Sequence, residues 1–224
     1  MITVHHLNNS RSQRVLWLLE ELELPYDVVR YERDPQTMLA PAALKAVHPL
    51  GKSPVVVVDG MTLAESGAII ESLIEHFGNG ALAPAPGTPE ALRYRYWMHF
   101  AEGSAMPPLL LKLVFGRIES GKGMPFFVRP VARMIAAKTR EAFISPQINA
   151  QLDFMESELA CSEWFAGDAF SGADIQMSFP IEAARARGGL DASRPHLMAY
   201  LERIHARPAY QRALERGGPF ALMG

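Results

Sequence analysis

Three short stretches of the chain carry residues whose types and spacing suit chemistry on a small anion. Ser10-Arg11-Ser12-Gln13 opens a helical pattern directly behind a short β-favouring run. A strand-to-helix turn aims free backbone N–H groups and the positive end of a helix dipole at whatever lies above it. A thiolate there is stabilised, and a hydroxyl such as that of Ser10 can donate a hydrogen bond to it. A purely structural reading also exists, because Ser10 and Gln13 fit a capping box. Glu65-Ser66 repeats the arrangement at a later helix start. Ser66 is a good N-cap, and the pair offers an anion site beside an acid, which matches the carboxylate and ammonium of an α-amino acid end group. Lys52-Ser53-Pro54 precedes four valines. Lys52 is a solvated loop lysine or a cation for a second carboxylate. A cis Ser53–Pro54 bond would turn the backbone N–H and C=O of Ser53 outward, free to pair with a bound peptide as a strand does.

The elements that must position these residues are legible in outline. Ile2 to Leu7 reads as a strand. Val15, Leu18, Leu19 and Leu22 recur on one face of a helix that Pro25 ends. Tyr26 to Tyr31 reads as a second strand, and residues 36–47 as a short helix closed by Pro49. Val55–Val58 reads as a strand buried on both faces, followed by the two-residue turn Asp59-Gly60 and a hairpin partner at Met61–Leu63. Ser66 starts a helix with Ile69, Ile70, Leu73, Ile74 and Phe77 on one face. "LAPAPGTP", residues 82–89, holds three prolines and suits a semi-rigid linker. Beyond it the pattern is helical throughout: 89–118, disturbed at Met106-Pro107-Pro108; 126–159, with a break near Pro130; then 172–186, 194–206 and 208–216. The expectation is a mixed α/β domain over 1–79, a linker over 80–88 and an all-helical domain over 89–224.

Composition narrows the function classes. The chain has 224 residues, 49% hydrophobic and 21% charged, enough to bury a sizeable core. The net charge is −2, so no basic face for nucleic acid is expected. The charge is uneven, −4 over residues 1–79 and +2 over the rest. A single cysteine, Cys161, excludes an internal disulfide or CxxC pair and fits a reducing, cytoplasmic setting; it reads as a packed or surface thiol. The first residues lack the basic and apolar regions of a signal peptide, and no run approaches the length of a membrane span. His5 and His6 point to opposite faces of a strand, and the other histidines lack HxxxH spacing, so no metal is expected. Met106, Phe115, Met124, Phe126 and Phe127 are candidates for an apolar pocket, each with a plain core role as the alternative.

"NNSRSQRVLWLLEELELPYDVV", "HPLGKSPVVVVDGMTLAESGAIIESL" and "WFAGDAFSGADI" together resemble the glutathione S-transferase family over nearly the whole chain, in particular its fungal and bacterial branch with Ser-Arg at the first helix. Two motifs are fairly specific: a basic residue, any residue and Pro ahead of a hairpin leading to Glu-Ser-Gly, and Ser171-Gly172-Ala173-Asp174, which resembles the family's capping box inside the helical domain. The resemblance implies a thioredoxin-like N-terminal domain, an all-α C-terminal domain and usually a homodimer. It implies a cis bond at Pro54, backbone pairing of Ser53 with the cysteinyl part of glutathione, Glu65 and Ser66 at the γ-glutamyl end, Lys52 at the glycyl end, and a thiol-activating hydroxyl at Ser10. There are departures. "TMLAPAAL" lacks the basic residue that relatives often place near the glycyl carboxylate, leaving Arg11 or Arg33 as substitutes. Asn9 and Ser12 rival Ser10, and the absence of Cys at this turn argues against the cysteine-type members. The expected function is attack of activated glutathione on an apolar electrophile. The alternatives are a glutathione-dependent disulfide reductase or peroxidase, and a non-catalytic binding protein on the same fold.

Overall fold

The computed structural model describes residues 1–222. Four strands form one sheet in the order β2-β1-β3-β4, with β1 spanning Ile2–Leu7, β2 Tyr26–Tyr31, β3 Val55–Val58 and β4 Met61–Ala64. β1 pairs parallel with β2, Ile2 opposite Tyr26, and antiparallel with β3, Ile2 opposite Val58. The parallel pair is joined by α1, Ser12–Glu21. The turn between β3 and β4 has φ 48° at Asp59 and 87° at Gly60, the two left-handed positions that a two-residue hairpin with strand-matching twist requires. α2 covers Ala42–Val47 and α3 covers Ser66–Phe77. This mixed sheet with flanking helices is the thioredoxin-like arrangement, and the part of the chain that follows is mostly helical.

The helical part comprises α4 Pro89–Phe100, α5 Met106–Ser120, α6 Arg129–Thr139, α7 Ser145–Cys161, α8 Gly172–Ala183, α9 Pro195–His205 and α10 Pro208–Gly217. Three π-helical turns interrupt it, at Ala101–Ala105, Arg140–Ile144 and Ala184–Gly188. The first explains the disturbance read at Met106-Pro107-Pro108. Two consecutive prolines withhold N–H groups from the preceding turn and crowd it, so the helix widens just before them. The Ser104 carbonyl is used instead by Gln151 Nε2 at 2.8 Å.

Several local expectations are corrected. Residues 36–41 are not helical; Pro41 delays α2 to Ala42. The break expected near Pro130 lies at 140–144, ahead of Pro146, because Pro130 sits in the first turn of α6, where its missing N–H costs nothing. Val55 and Val56 are fully buried, but Val57 and Val58 approach the hairpin tip and are only partly covered. Met106 belongs to the core, whereas Phe126 and Phe127 are 80% and 68% exposed and line no closed pocket.

The two parts of the chain share a core through α1. Trp17 is fully buried, edge-on to Tyr210 of α10 at 5.2 Å. Arg207 reaches Glu21 with both Nε and Nη2, at 2.6 and 2.8 Å, and Arg212 Nε reaches Glu20 at 2.8 Å. α8 closes on α3 at Gly172, where a Cβ would lie 2.5 Å from Ile74 Cδ1 and 2.9 Å from Tyr94 Oη, so any side chain here would have to displace both. The expected capping box is present at Ser171: the Asp174 carboxylate accepts the N–H groups of Ser171 and Phe165, each at 2.9 Å.

Candidate functional site

The C-terminal end of β1 turns through Asn8-Asn9-Ser10-Arg11 into α1, and β3 begins beside it at the cis Ser53–Pro54 bond. Ser10 is buried. Its Oγ lies 2.8 Å from Ser12 Oγ, accepts the Ser12 N–H at 3.2 Å and donates to Ser53 Oγ at 3.3 Å. Ser53 Oγ in turn donates to the His5 carbonyl at 3.2 Å and accepts the Leu7 N–H at 3.3 Å. The strand end and the loop before β3 are thus tied by one hydroxyl.

The capping box expected at Ser10 and Gln13 is not formed. α1 starts at Ser12 with Arg11 as N-cap, and the Gln13 N–H takes the Ser10 carbonyl rather than its hydroxyl. Gln13 is buried with both side-chain polar atoms unpaired. The Ser10 hydroxyl faces sideways, toward Ser12 and Ser53. Of its rivals, Asn9 has φ 49° and holds the Ala221 N–H at 2.8 Å. Ser12 Oγ points inward, 2.9 Å from His6 Nδ1 and 3.3 Å from the Leu7 carbonyl.

Behind the hydroxyls stands His6, which the sequence reading weighed only as a metal ligand. Burial, then the positive charge of Arg30, lowers its pKa to about 4 against a weaker opposing hydrogen bond to the Gly217 backbone. The ring is neutral at physiological pH. Its Nδ1 lies 2.9 Å from Ser12 Oγ. The three side chains form a chain Ser10–Ser12–His6 that holds the Ser10 oxygen in place. His5, one residue earlier, faces the other side of the sheet and bonds Tyr31 Oη at 2.9 Å.

At the second site the helix begins at Ser66, as expected, but Ser66 is not its N-cap. Ser66 is the first residue of α3 and Glu65 the N-cap, with φ 71° and ψ 122°. A non-glycine residue with positive φ is uncommon, and such outliers gather at functional positions. The bend leaves the Glu65 carboxylate in solvent and the Ser66 side chain at the helix start, neither hydrogen-bonded within the described residues. Lys52 is exposed, also without a partner among them.

A second group, of which the sequence reading named only Arg11, ties the start of α1 to the helical part of the chain. Arg14 is fully buried; its Nη1 donates to the Gln176 carbonyl and its Nη2 to Glu102 Oε1, both at 2.6 Å. Arg11 Nε donates to both Glu102 oxygens at 3.0 Å. Burial raises the Glu102 pKa, but the guanidiniums of Arg14 and Arg11 outweigh it and the carboxylate is held below its usual range. Arg33, the other candidate for the glycyl carboxylate, gives its Nη1 to the Met38 carbonyl at 3.2 Å.

The family models "Glutathione S-transferase, N-terminal domain" and "Glutathione S-transferase, C-terminal domain" match residues 10–76 and 123–208. A relative from Schizosaccharomyces pombe, Glutathione S-transferase 3, is 37% identical over 96% of the chain and 88% of its own length. The chain belongs to the glutathione S-transferase family. Glutathione S-transferase 1 of Saccharomyces cerevisiae is 34% identical, covering 96% of this chain and 95% of that one. A glutathione S-transferase structure from Actinobacillus pleuropneumoniae superposes with a TM-score of 0.80 at 32% identity, over 98% of this chain and 94% of that one. The N-terminal match begins at Ser10 and includes Lys52, Ser53, Pro54, Glu65 and Ser66, so the candidate residues of this family member all lie within it.

Proposed function

We propose that the protein is a glutathione transferase in which Ser10 activates the bound thiol. Residues 1–79 form the glutathione-binding domain, residues 80–88 the linker and residues 89–224 the helical domain. The tripeptide lies as an added strand, paired with the backbone of Ser53 ahead of Pro54. Its γ-glutamyl end meets Ser66 and Glu65, its glycyl carboxylate meets Lys52, and its thiol points at Ser10. The second substrate, an electrophile with an apolar body, sits between the two domains. The thiol proton leaves to solvent, the thiolate forms a C–S bond, and the leaving group departs with the bonding pair.

The observation that carries this reading is the meeting of the Ser10 and Ser53 hydroxyls, 3.3 Å apart, at the start of α1. A reference thiol with pKa near ~8.5 is only about 3% ionised at pH 7, and lowering it by ~2 units needs about 2.7 kcal/mol of preferential stabilisation. One charge-assisted hydrogen bond plus a helix dipole supplies that amount. The bond from Ser10 to Ser53 is long, so the proton is readily given to a thiolate instead.

We also propose a cytoplasmic homodimer. A shallow groove of about 490 Å³ runs along α4 between Leu92 and Ser104. Leu92 and Tyr96 on it are 69% and 49% exposed, a surface that a second copy would cover. The functional test is a panel of a haloaromatic electrophile, a mixed disulfide and a hydroperoxide, each with glutathione. Turnover of the electrophile is expected. Activity confined to the disulfide or hydroperoxide overturns the transferase reading.

A further inference from the structure

Positive charge gathers at the start of α1. Glu102 pairs with both Arg11 and Arg14, Glu182 also faces Arg14, and both guanidiniums lie over the Phe179 ring, 5.0 and 5.4 Å from its centre. The outer nitrogens of Arg11 make no hydrogen bond within the described residues. Arg187 lies eight residues beyond Phe179, two helical turns along the same side, on the π-helical turn Ala184–Gly188. That turn is fixed by Lys112 Nζ, which donates to the Gly188 carbonyl at 3.0 Å. Arg187 forms no ion pair or hydrogen bond among the described residues, and its Nε is shut off from water without a partner. Burial first, then the charge of Arg11, lowers its pKa, and the same two causes act in the same order on Arg33.

Leaving a partly buried guanidinium uncompensated is costly. A planar fork of donors is the group best matched to a carboxylate. We propose that Arg187, with the outer nitrogens of Arg11, is an anion seat for the second substrate, so that the preferred electrophile carries a carboxylate on its apolar body. This inference rests on the proposed function and names the substrate class for the same site.

The test separates binding from turnover. Affinities of the unreactive pair 3,5-dinitrobenzoate and 3,5-dinitrobenzamide are measured by calorimetry, with and without S-methylglutathione, on wild type, Arg187→Met and Arg187→Lys. Wild type is expected to prefer the benzoate by about tenfold to a hundredfold, the range of a charge-assisted hydrogen-bond pair. Arg187→Met, which keeps the volume and removes an unpaired charge, is expected to reduce the preference to within about threefold, and Arg187→Lys to restore part of it. Equal binding of the two compounds to wild type, or a preference surviving in Arg187→Met, overturns the seat. Turnover of neutral 1-chloro-2,4-dinitrobenzene is read alongside. A benzoate preference without such turnover keeps the anion seat and removes the transferase reading, and turnover without the preference does the reverse.

Discussion

Replacing Ser10 by Ala separates a structural hydroxyl from one that acts on the thiol. In the free protein the change removes the acceptor of the Ser12 N–H, 3.2 Å away in a buried turn, and one neighbour of Ser12 Oγ. An orphaned buried donor costs about 1–3 kcal/mol, so the variant should unfold at lower denaturant by an amount in the lower part of that range. If Ser10 also donates to the thiolate, a charge-assisted bond of about 1.5–3 kcal/mol is lost as well. The pKa of the bound thiol should then rise by about 1–2 units. From a starting value of about 6.5, the thiolate fraction at pH 7 falls by about threefold for a one-unit rise and about 25-fold for two. The assay is the ultraviolet thiolate absorbance of bound glutathione against pH for wild type, Ser10→Ala and Ser12→Ala, with turnover of an electrophile measured over the same range. Ser10→Ala should be slow at neutral pH and recover partly in alkali, where the thiol ionises unaided. Ser12→Ala, which loses its contacts to His6 and Leu7, should move the thiol pKa by less than about half a unit. Superimposable titrations for wild type and Ser10→Ala refute the reasoning, and a large shift in Ser12→Ala alone transfers the role to Ser12.

Two further outcomes follow from the same geometry. Glu65→Ala and Ser66→Ala should each weaken glutathione binding about tenfold in calorimetry; unchanged affinity in both moves the γ-glutamyl site elsewhere. His6 should shape the acid limb of stability. Its folded pKa of about 4 lies below the unfolded value, so its contribution is full above about pH 6.5 and is lost as the pH falls to 4, a total of about 3 kcal/mol. Asp174 acts oppositely: burial raises its pKa to about 6 against its hydrogen bonds, so acidification through that pH favours the folded state. Because the two contributions are similar in size and opposite in sign, urea unfolding between pH 4 and 7 should show little net slope in wild type, whereas His6→Gln should become more stable as the pH falls, by about 3 kcal/mol; equal slopes in the two proteins would contradict this account.

The fold was legible wherever a local pattern sufficed. Alternation and valine runs marked the strands, Asp59-Gly60 marked the hairpin, and the absence of strand patterns after residue 89 marked the helical part. Boundaries were misread at prolines whose effect depends on position. Pro130 in the first turn of α6 is harmless, while Pro107, Pro108 and Pro146 push the preceding turns into π geometry. The spacing of Ser10 and Gln13 fits a capping box, yet the hydroxyl went instead to Ser12 and Ser53. No sequence rule weighs a cap against a partner 43 residues away.

The cleft shows most plainly what a linear reading misses. Pro180 stands inside α8 and has no N–H for the carbonyl of Gln176, four residues back. That carbonyl is taken by Arg14 Nη1 at 2.6 Å, 162 residues distant in sequence. Arg14, anchored there, presents its other nitrogen to Glu102, on the π-helical turn ahead of Pro107 and Pro108. Glu102 in turn holds Arg11, one residue from Ser10 in sequence, at 3.0 Å. Two helix-disturbing proline sites thus set the position of the arginine nearest the proposed thiol site. Each link is an ordinary hydrogen bond, but the chain exists only once α1, α4, α5 and α8 are packed together. Glu102 neutralises part of the charge it gathers, and the surplus on Arg187 is left for a ligand.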